Sequence, residues 1–163
     1  MFKTKDVLNS LEQIISSKEI TTDTLEQIIS PKEITTDTLA LELTNVISGK
    51  GNICFEKTDI EIALKNSSEC DYNILTKSND DKITLADILN NKDAGNIKTL
   101  ILVIKHNGSL SLFKMSELMN NIIKNMPNKD IELLIGDYID KNTNEIKLTT
   151  IILKETIITE KIY

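Results

Sequence analysis

Residues 131–153 read IELLIGDYIDKNTNEIKLTTIIL. Two apolar runs, Ile131–Ile139 and Ile146–Leu153, flank a polar centre. Both are rich in Ile and Leu, and read as strands. Asp140-Lys-Asn-Thr-Asn-Glu145 is built from residues whose side chains close turns on their own backbone. The spacing therefore predicts an antiparallel hairpin.

Upstream, Leu112–Met126 places Leu112, Met115, Leu118, Met119, Ile122 and Met126 on one face at helical spacing, and Pro127 stops the run. Lys98–Lys105 (KTLILVIK) is a continuous β-branched and Leu run, as expected of a strand buried on both faces. Residues 67–96 are polar and read as an extended loop, interrupted by a short helix at Leu85–Leu89. Thr58-Asp-Ile-Glu61 has the form of a capping box opening a helix that runs to about Asn66. Asn52–Glu56 (NICFE) reads as a strand. From Gly51 onward the order is β-α-β-α-β-β: a mixed four-stranded sheet with two helices on one face, its separated strands joined by right-handed crossovers.

The first 48 residues are helical in pattern. Asp6–Ser16 carries Val7, Leu8, Leu11, Ile14 and Ile15 on one face. Leu11–Thr24 and Leu25–Thr38 are two copies of one unit, differing only at Ser17 against Pro31. Each copy ends in Ile-Thr-Thr-Asp-Thr, whose oxygens suit the start of a helix. Thr36 or Asp37 is expected to cap a helix bearing Leu39, Leu43, Val46 and Ile47, ended by Ser48-Gly-Lys-Gly51. Two copies are too few for a solenoid and read as a duplication within a helix–loop segment. The fold class is α+β, with a helical arm over residues 1–48 and an α/β domain over residues 49–163.

Composition narrows function. Twenty-five acidic against nineteen basic residues give a net charge of −6. That balance does not suit tracking nucleic-acid phosphates or an anionic membrane. Cys54 and Cys70, with His106 as the single histidine, form no metal-ligand spacing and are expected in the core. His106, beside Asn107-Gly108, is expected in an exposed turn. No signal peptide and no apolar run of membrane-spanning length is legible, so a cytosolic, reduced setting with no direct membrane anchor is expected.

The ordered landmarks resemble the C-terminal half of the FtsZ/tubulin superfamily. Ile28–Leu41 is similar to the family's end of the core helix and its synergy loop, P-G-L-I-N-L-D-F-A-D-V, with Pro31, Ile34, Asp37 and Leu41 on matching positions. Asp6-Val-Leu8 resembles the start of that core helix. Thr99–Ile104, followed by a turn and an amphipathic helix, is like the strand L-L-V-N-I-T. Leu133–Asp140 with Glu145–Ile152 resembles the pair I-I-F-G-x-V-I-D and E-V-R-V-T-V-I, with Gly136, Asp140, Glu145 and Thr149 as landmarks.

In that family GTP sits on a glycine-rich loop, G-G-G-T-G-[ST]-G. The five glycines here, Gly49, Gly51, Gly95, Gly108 and Gly136, make no such cradle. The resemblance therefore implies no cofactor, with GTP involved only if a partner subunit supplies the pocket. It also implies carboxylates that orient water in the pocket of the next subunit. The pattern N-x-D-x-x-D falls on Thr35, Asp37 and Ala40, or in the first copy on Thr21, Asp23 and Glu26. Asp37, Asp23 and Glu26 are the candidate catalytic acids, each also readable as part of an ordinary helix start. The implied role is a polymer-interface module in cell division or a related cytoskeleton, partnered by an FtsZ-like subunit or by itself. A regulatory or adaptor domain unrelated to division, and a GTPase-activating half of a two-subunit enzyme, are the alternatives.

Overall fold

The computed structural model describes residues 1–16, 34–78, 81–90 and 96–155. Residues 17–33, most of the duplicated stretch, lie outside them, and with them Asp23 and Glu26. The described elements are β1 (Phe2–Lys3), α1 (Thr4–Ser16), α2 (Thr36–Ile47), α3 (Lys57–Lys65), β2 (Glu69–Ser78), α4 (Leu85–Leu89), β3 (Ile97–His106), α5 (Leu112–Asn125), β4 (Glu132–Ile139) and β5 (Glu145–Lys154).

The strands form one mixed five-stranded sheet in the order β1-β2-β5-β3-β4. The α+β class holds, with one strand more than expected. β3 and β4 run parallel, joined through α5, whereas β5 runs antiparallel to both β2 and β3. The expected hairpin of residues 131–153 does not form, because β3 lies between β4 and β5. Two strand spacings are about 10 Å, and the five residues 140–144 reach about 17 Å when extended. A turn-rich connection of that length can cross a strand as readily as close a hairpin. Here the Asp140 N–H donates to the His106 carbonyl at 2.8 Å, laying the connection over the end of β3.

Two further strand expectations change. Residues 52–56 form no strand, but this segment protects the β4 edge. The Asp137 N–H donates to Ile53 O and the Ile139 N–H to Lys50 O, each at 3.0 Å. The missing strand is β2, in the polar stretch expected to be loop. Its polar residues on one face are held by protein: Asn73 Nδ2 donates to the carbonyls of Asp87 and Ile88, and Lys77 pairs with Asp87. Polarity there marks contacts to α4.

Helices cover both faces of the sheet, not one. Val7, Leu11, Leu39, Leu43, Val46, Ile60 and Leu64 from α1, α2 and α3 share a core with Ile101, Val103, Ile151 and Leu153. Ile88 of α4 and Met115, Leu118 and Ile122 of α5 pack with Leu102, Ile104, Ile146 and Leu148 on the other face. β3 and β5 are thus buried on both sides, which accounts for their unbroken apolar runs. α3 begins at Lys57 with Glu56 as its cap residue and no side-chain cap, so Thr58 and Glu61 do not form the expected box. Glu61 instead pairs with Lys57. Cys70 is buried and Cys54 exposed, so only one of the two cysteines is a core residue.

Candidate functional site

α2 carries the described candidate acid. The Thr35 N–H donates to Thr38 Oγ1 (3.1 Å), and the Thr38 N–H to Thr35 Oγ1 (3.3 Å). The cap therefore falls on Thr35, one residue before the expected start. Ser10 Oγ donates to Thr36 Oγ1 at 3.0 Å, tying this turn to α1. Asp37 lies in the first turn and is exposed. A carboxylate there is favoured by the unpaired N–H groups and positive end of the helix dipole. Among the described residues no salt bridge or side-chain hydrogen bond engages the Asp37 carboxylate.

The direction of α2 is set by two contacts. A Cβ at Gly136 would overlap Val46 Cγ1 and come within 3.0 Å of Phe55, so glycine lets helix and strand approach. Four residues earlier on the helix, Glu42 accepts from the Tyr138 hydroxyl at 2.7 Å and from Lys147 Nζ at 2.5 Å. Glu42 is 4% exposed. Two donors compensate its burial, as a buried carboxylate requires. α2 therefore runs antiparallel to β4, and its first turn points toward the 140–144 connection.

Charged residues gather at that end. Lys105 stands opposite Tyr138 on one side and Lys147 on the other. Its ammonium lies 3.2 Å from Asp140 Oδ2. The Asn142 N–H, then Lys105 and Lys147, hold the Asp140 carboxyl below its ordinary value. The end of the sheet is an ordered set of opposite charges, a surface suited to meeting another charged surface.

On the opposite face lies a pair with no counterpart in the expectations above. His106, expected in an exposed turn, is fully buried. Its Nε2 is 2.6 Å from Asp137 Oδ2. Its Nδ1 accepts from the N–H groups of Gly108 (3.0 Å) and Leu110 (3.4 Å). The proton therefore sits on Nε2 and is donated to Asp137. Asp137 Oδ1 accepts from the N–H groups of Asn52 (2.8 Å) and Ile53 (2.7 Å). The segment passes so close that a Cβ at Gly51 would overlap the Asp137 carbonyl. Every polar atom of the pair has a partner, so the pair fastens two loops. The sequence signal was weak: an Asp within an apolar strand and a His at the end of another.

Among the described residues no group of three His, Cys, Asp or Glu is placed to hold a metal, and no helix is long and apolar enough to cross a membrane.

No protein-family model and no curated protein matches this sequence. Solved structures do. An empty FtsZ dimer from M. jannaschii matches 96% of this chain and 56% of its own, at 14% identity and a TM-score of 0.55. The fold is FtsZ-like. A point mutant of FtsZ from the same organism matches 89% of this chain and 44% of its own, again at 14% identity, with a TM-score of 0.59. A TubZ-Bt four-stranded filament aligns over 91% of this chain and 41% of its own at 17% identity and a TM-score of 0.47. The chain spans about half the length of the FtsZ structures it matches. At this identity the likeness is one of fold. In the FtsZ-like sheet, Gly136 lets α2 approach, Asp140 closes the connection over β3, and Thr149 is buried in the central strand.

Proposed function

We propose that this chain is an interface module of an FtsZ-like cytoskeletal or cell-division polymer, working in the cytosol. Its contact end is the first turn of α2 with the charged set around Asp140. The observation that carries this reading is the ordered charge at that end of the sheet, with Asp37 exposed in the first turn of the helix that points toward it, on a fold shared with an FtsZ that is a dimer. The 163 residues hold no glycine-rich phosphate loop, so nucleotide enters through a partner subunit or a linked domain. The partner is an FtsZ-like subunit or a second copy of the chain.

The test is co-pelleting with GTP-assembled FtsZ polymers. Wild-type chain is expected in the pellet, with Asp37→Lys largely in the supernatant. Equal recovery of the two would place the contact elsewhere, and absence of both from the pellet would favour an adaptor unrelated to division. Calorimetry with GTP alone should give no heat of binding; micromolar affinity would overturn the reading that the pocket is supplied in trans.

Exposure of Asp37 also supports a second reading, in which this chain completes a GTPase by orienting water in a partner's pocket. Asp37→Ala, or loss of Asp23 and Glu26 in the other repeat copy, would then lower GTP turnover of the reconstituted pair by tenfold or more. Unchanged turnover would reduce these acids to helix starts.

A further inference from the structure

Among the described residues the open edge of the sheet is β2. β1 covers it only at Glu69 and Cys70. Even-numbered residues of β2 turn their backbone groups outward: the Thr4 N–H reaches Ser68 O, and the N–H groups of Tyr72 and Ser78 are taken by side chains of Asp71 and Asp81. Tyr72, Ile74 and Thr76 thus point N–H and C=O away from β5, and no strand meets them among the described residues. Unpaired backbone on an edge is a template for another strand.

We propose that β2 pairs with β2 of a second copy, antiparallel and centred on Ile74, doubling the sheet across a two-fold axis. Two independent features choose that register. First, it sets Tyr72, Ile74 and Thr76 opposite Thr76, Ile74 and Tyr72 of the second copy. Three residues on each side then exchange both backbone groups, giving about six hydrogen bonds. Centring on Asn73 would need Cys70, already paired with Phe2. Centring on Leu75 would need Ser78, whose N–H goes to the Asp81 side chain and whose C=O accepts from the Asp81 N–H, so both of its backbone groups are taken. Second, the Ile74 register alone places Asp71 opposite Lys77 of the other copy, twice by symmetry and on one face of the sheet. Opposite charges at facing positions favour such a pair. In the single chain Asp71 Oδ1 accepts from the Tyr72 N–H at 2.9 Å, and Lys77 bonds Asp87 and the Lys82 carbonyl. Pairing hands the Tyr72 N–H to a carbonyl and turns Asp71 toward Lys77.

This contact does not rest on the function proposed above. It is two-fold and closes on itself, whereas a head-to-tail contact at α2 repeats. Together they would link filaments side by side.

Sedimentation equilibrium of the full chain, from about 10 μM to about 1 mM, spans the relevant affinities. Wild type is expected to dimerise. Asp71→Lys and Lys77→Asp should each weaken dimerisation at least tenfold, since each homodimer then faces like charges twice. An equimolar mixture of the two variants should return to wild-type association, because both facing pairs are again opposite. Thr76→Pro is the second variant. It removes an outward N–H that the β2–β5 ladder does not use, so circular dichroism should show a folded chain while the dimer is lost. A wild-type chain that stays monomeric, a mixture no tighter than its components, or a dimer that survives Thr76→Pro would each overturn the proposal. Asp37→Lys should leave this dimer intact, which separates it from the α2 contact.

Discussion

Asp137 and Gly136 are adjacent on β4 and serve opposite faces of the sheet. Asp137→Asn keeps shape but replaces one acceptor oxygen by an N–H₂, which then meets either the His106 Nε2–H or the N–H groups of Asn52 and Ile53. Reversing the imidazole tautomer would place Nδ1–H against the N–H groups of Gly108 and Leu110. Neither arrangement satisfies the buried pair, so the substitution should cost about 3 kcal/mol, read as a lower urea midpoint with an unchanged slope. Gly136→Ala inserts a methyl against Val46 and Phe55. Overpacking of this kind costs about 2 kcal/mol, a fall in melting temperature of about 6 °C for a chain of this size. Combining it with Val46→Ala should cost less than the two single changes added together, since the second makes room for the first. Simple additivity would mean that α2 does not approach β4 there.

Asp140 and Asp87 give an acid signature. Both carboxyls are held below the ordinary range, Asp140 chiefly by the Asn142 N–H and Lys105, Asp87 chiefly by Lys77 and Thr84. A carboxyl depressed in the folded state contributes stability above its unfolded value of about 3.9. That contribution is lost as pH falls through the folded value. Both side chains are partly solvated, so each effect is small and screened by salt. The urea midpoints of wild type and Asp140→Asn should differ at pH 6, and the gap should narrow as pH falls below about 4. A gap that does not change with pH would show that Asp140 acts by shape alone.

At the scale of elements, α1, α2, β3, α5, β4 and β5 were all legible, because each has a long run with one clear period. What the sequence hid was pairing. A connection of turn formers between two strands looks the same whether it closes a hairpin or crosses β3, and only the Asp140–His106 and Asp140–Lys105 contacts distinguish the two. β2 was hidden because Asn73 and Lys77 are polar residues satisfied by α4, which periodicity reads as solvent. Of the candidate site, the place of Asp37 in the first turn of α2 was legible from the Thr-rich cap before it. Glu42, Tyr138 and Lys147 were not, since they lie far apart in the chain and meet only once α2 lies along β4. Thr35→Ala should remove the reciprocal cap and cost about 1 kcal/mol, visible as faster hydrogen exchange in the first turn of α2 and not in β3. Equal change in both would mean that α2 does not fray independently.

At the scale of the whole molecule, two cysteines report the packing. Burial pushes the Cys70 thiol up to about 12, whereas Cys54 is exposed beside the β4 edge. A thiol reagent should therefore modify one cysteine quickly and the second only on unfolding. Two fast thiols would contradict the core built by α1, α3 and the sheet. The same core makes the first helices part of the sheet's support, so the first turn of α2, with Asp37, is held on the sheet by packing. Light scattering of GTP-driven FtsZ assembly, with increasing amounts of this chain added, tests that presentation most directly. Binding at a filament end should lower the plateau at substoichiometric ratios, with Asp37→Lys nearly inactive. A plateau unchanged at equimolar chain would contradict an FtsZ-like interface at α2.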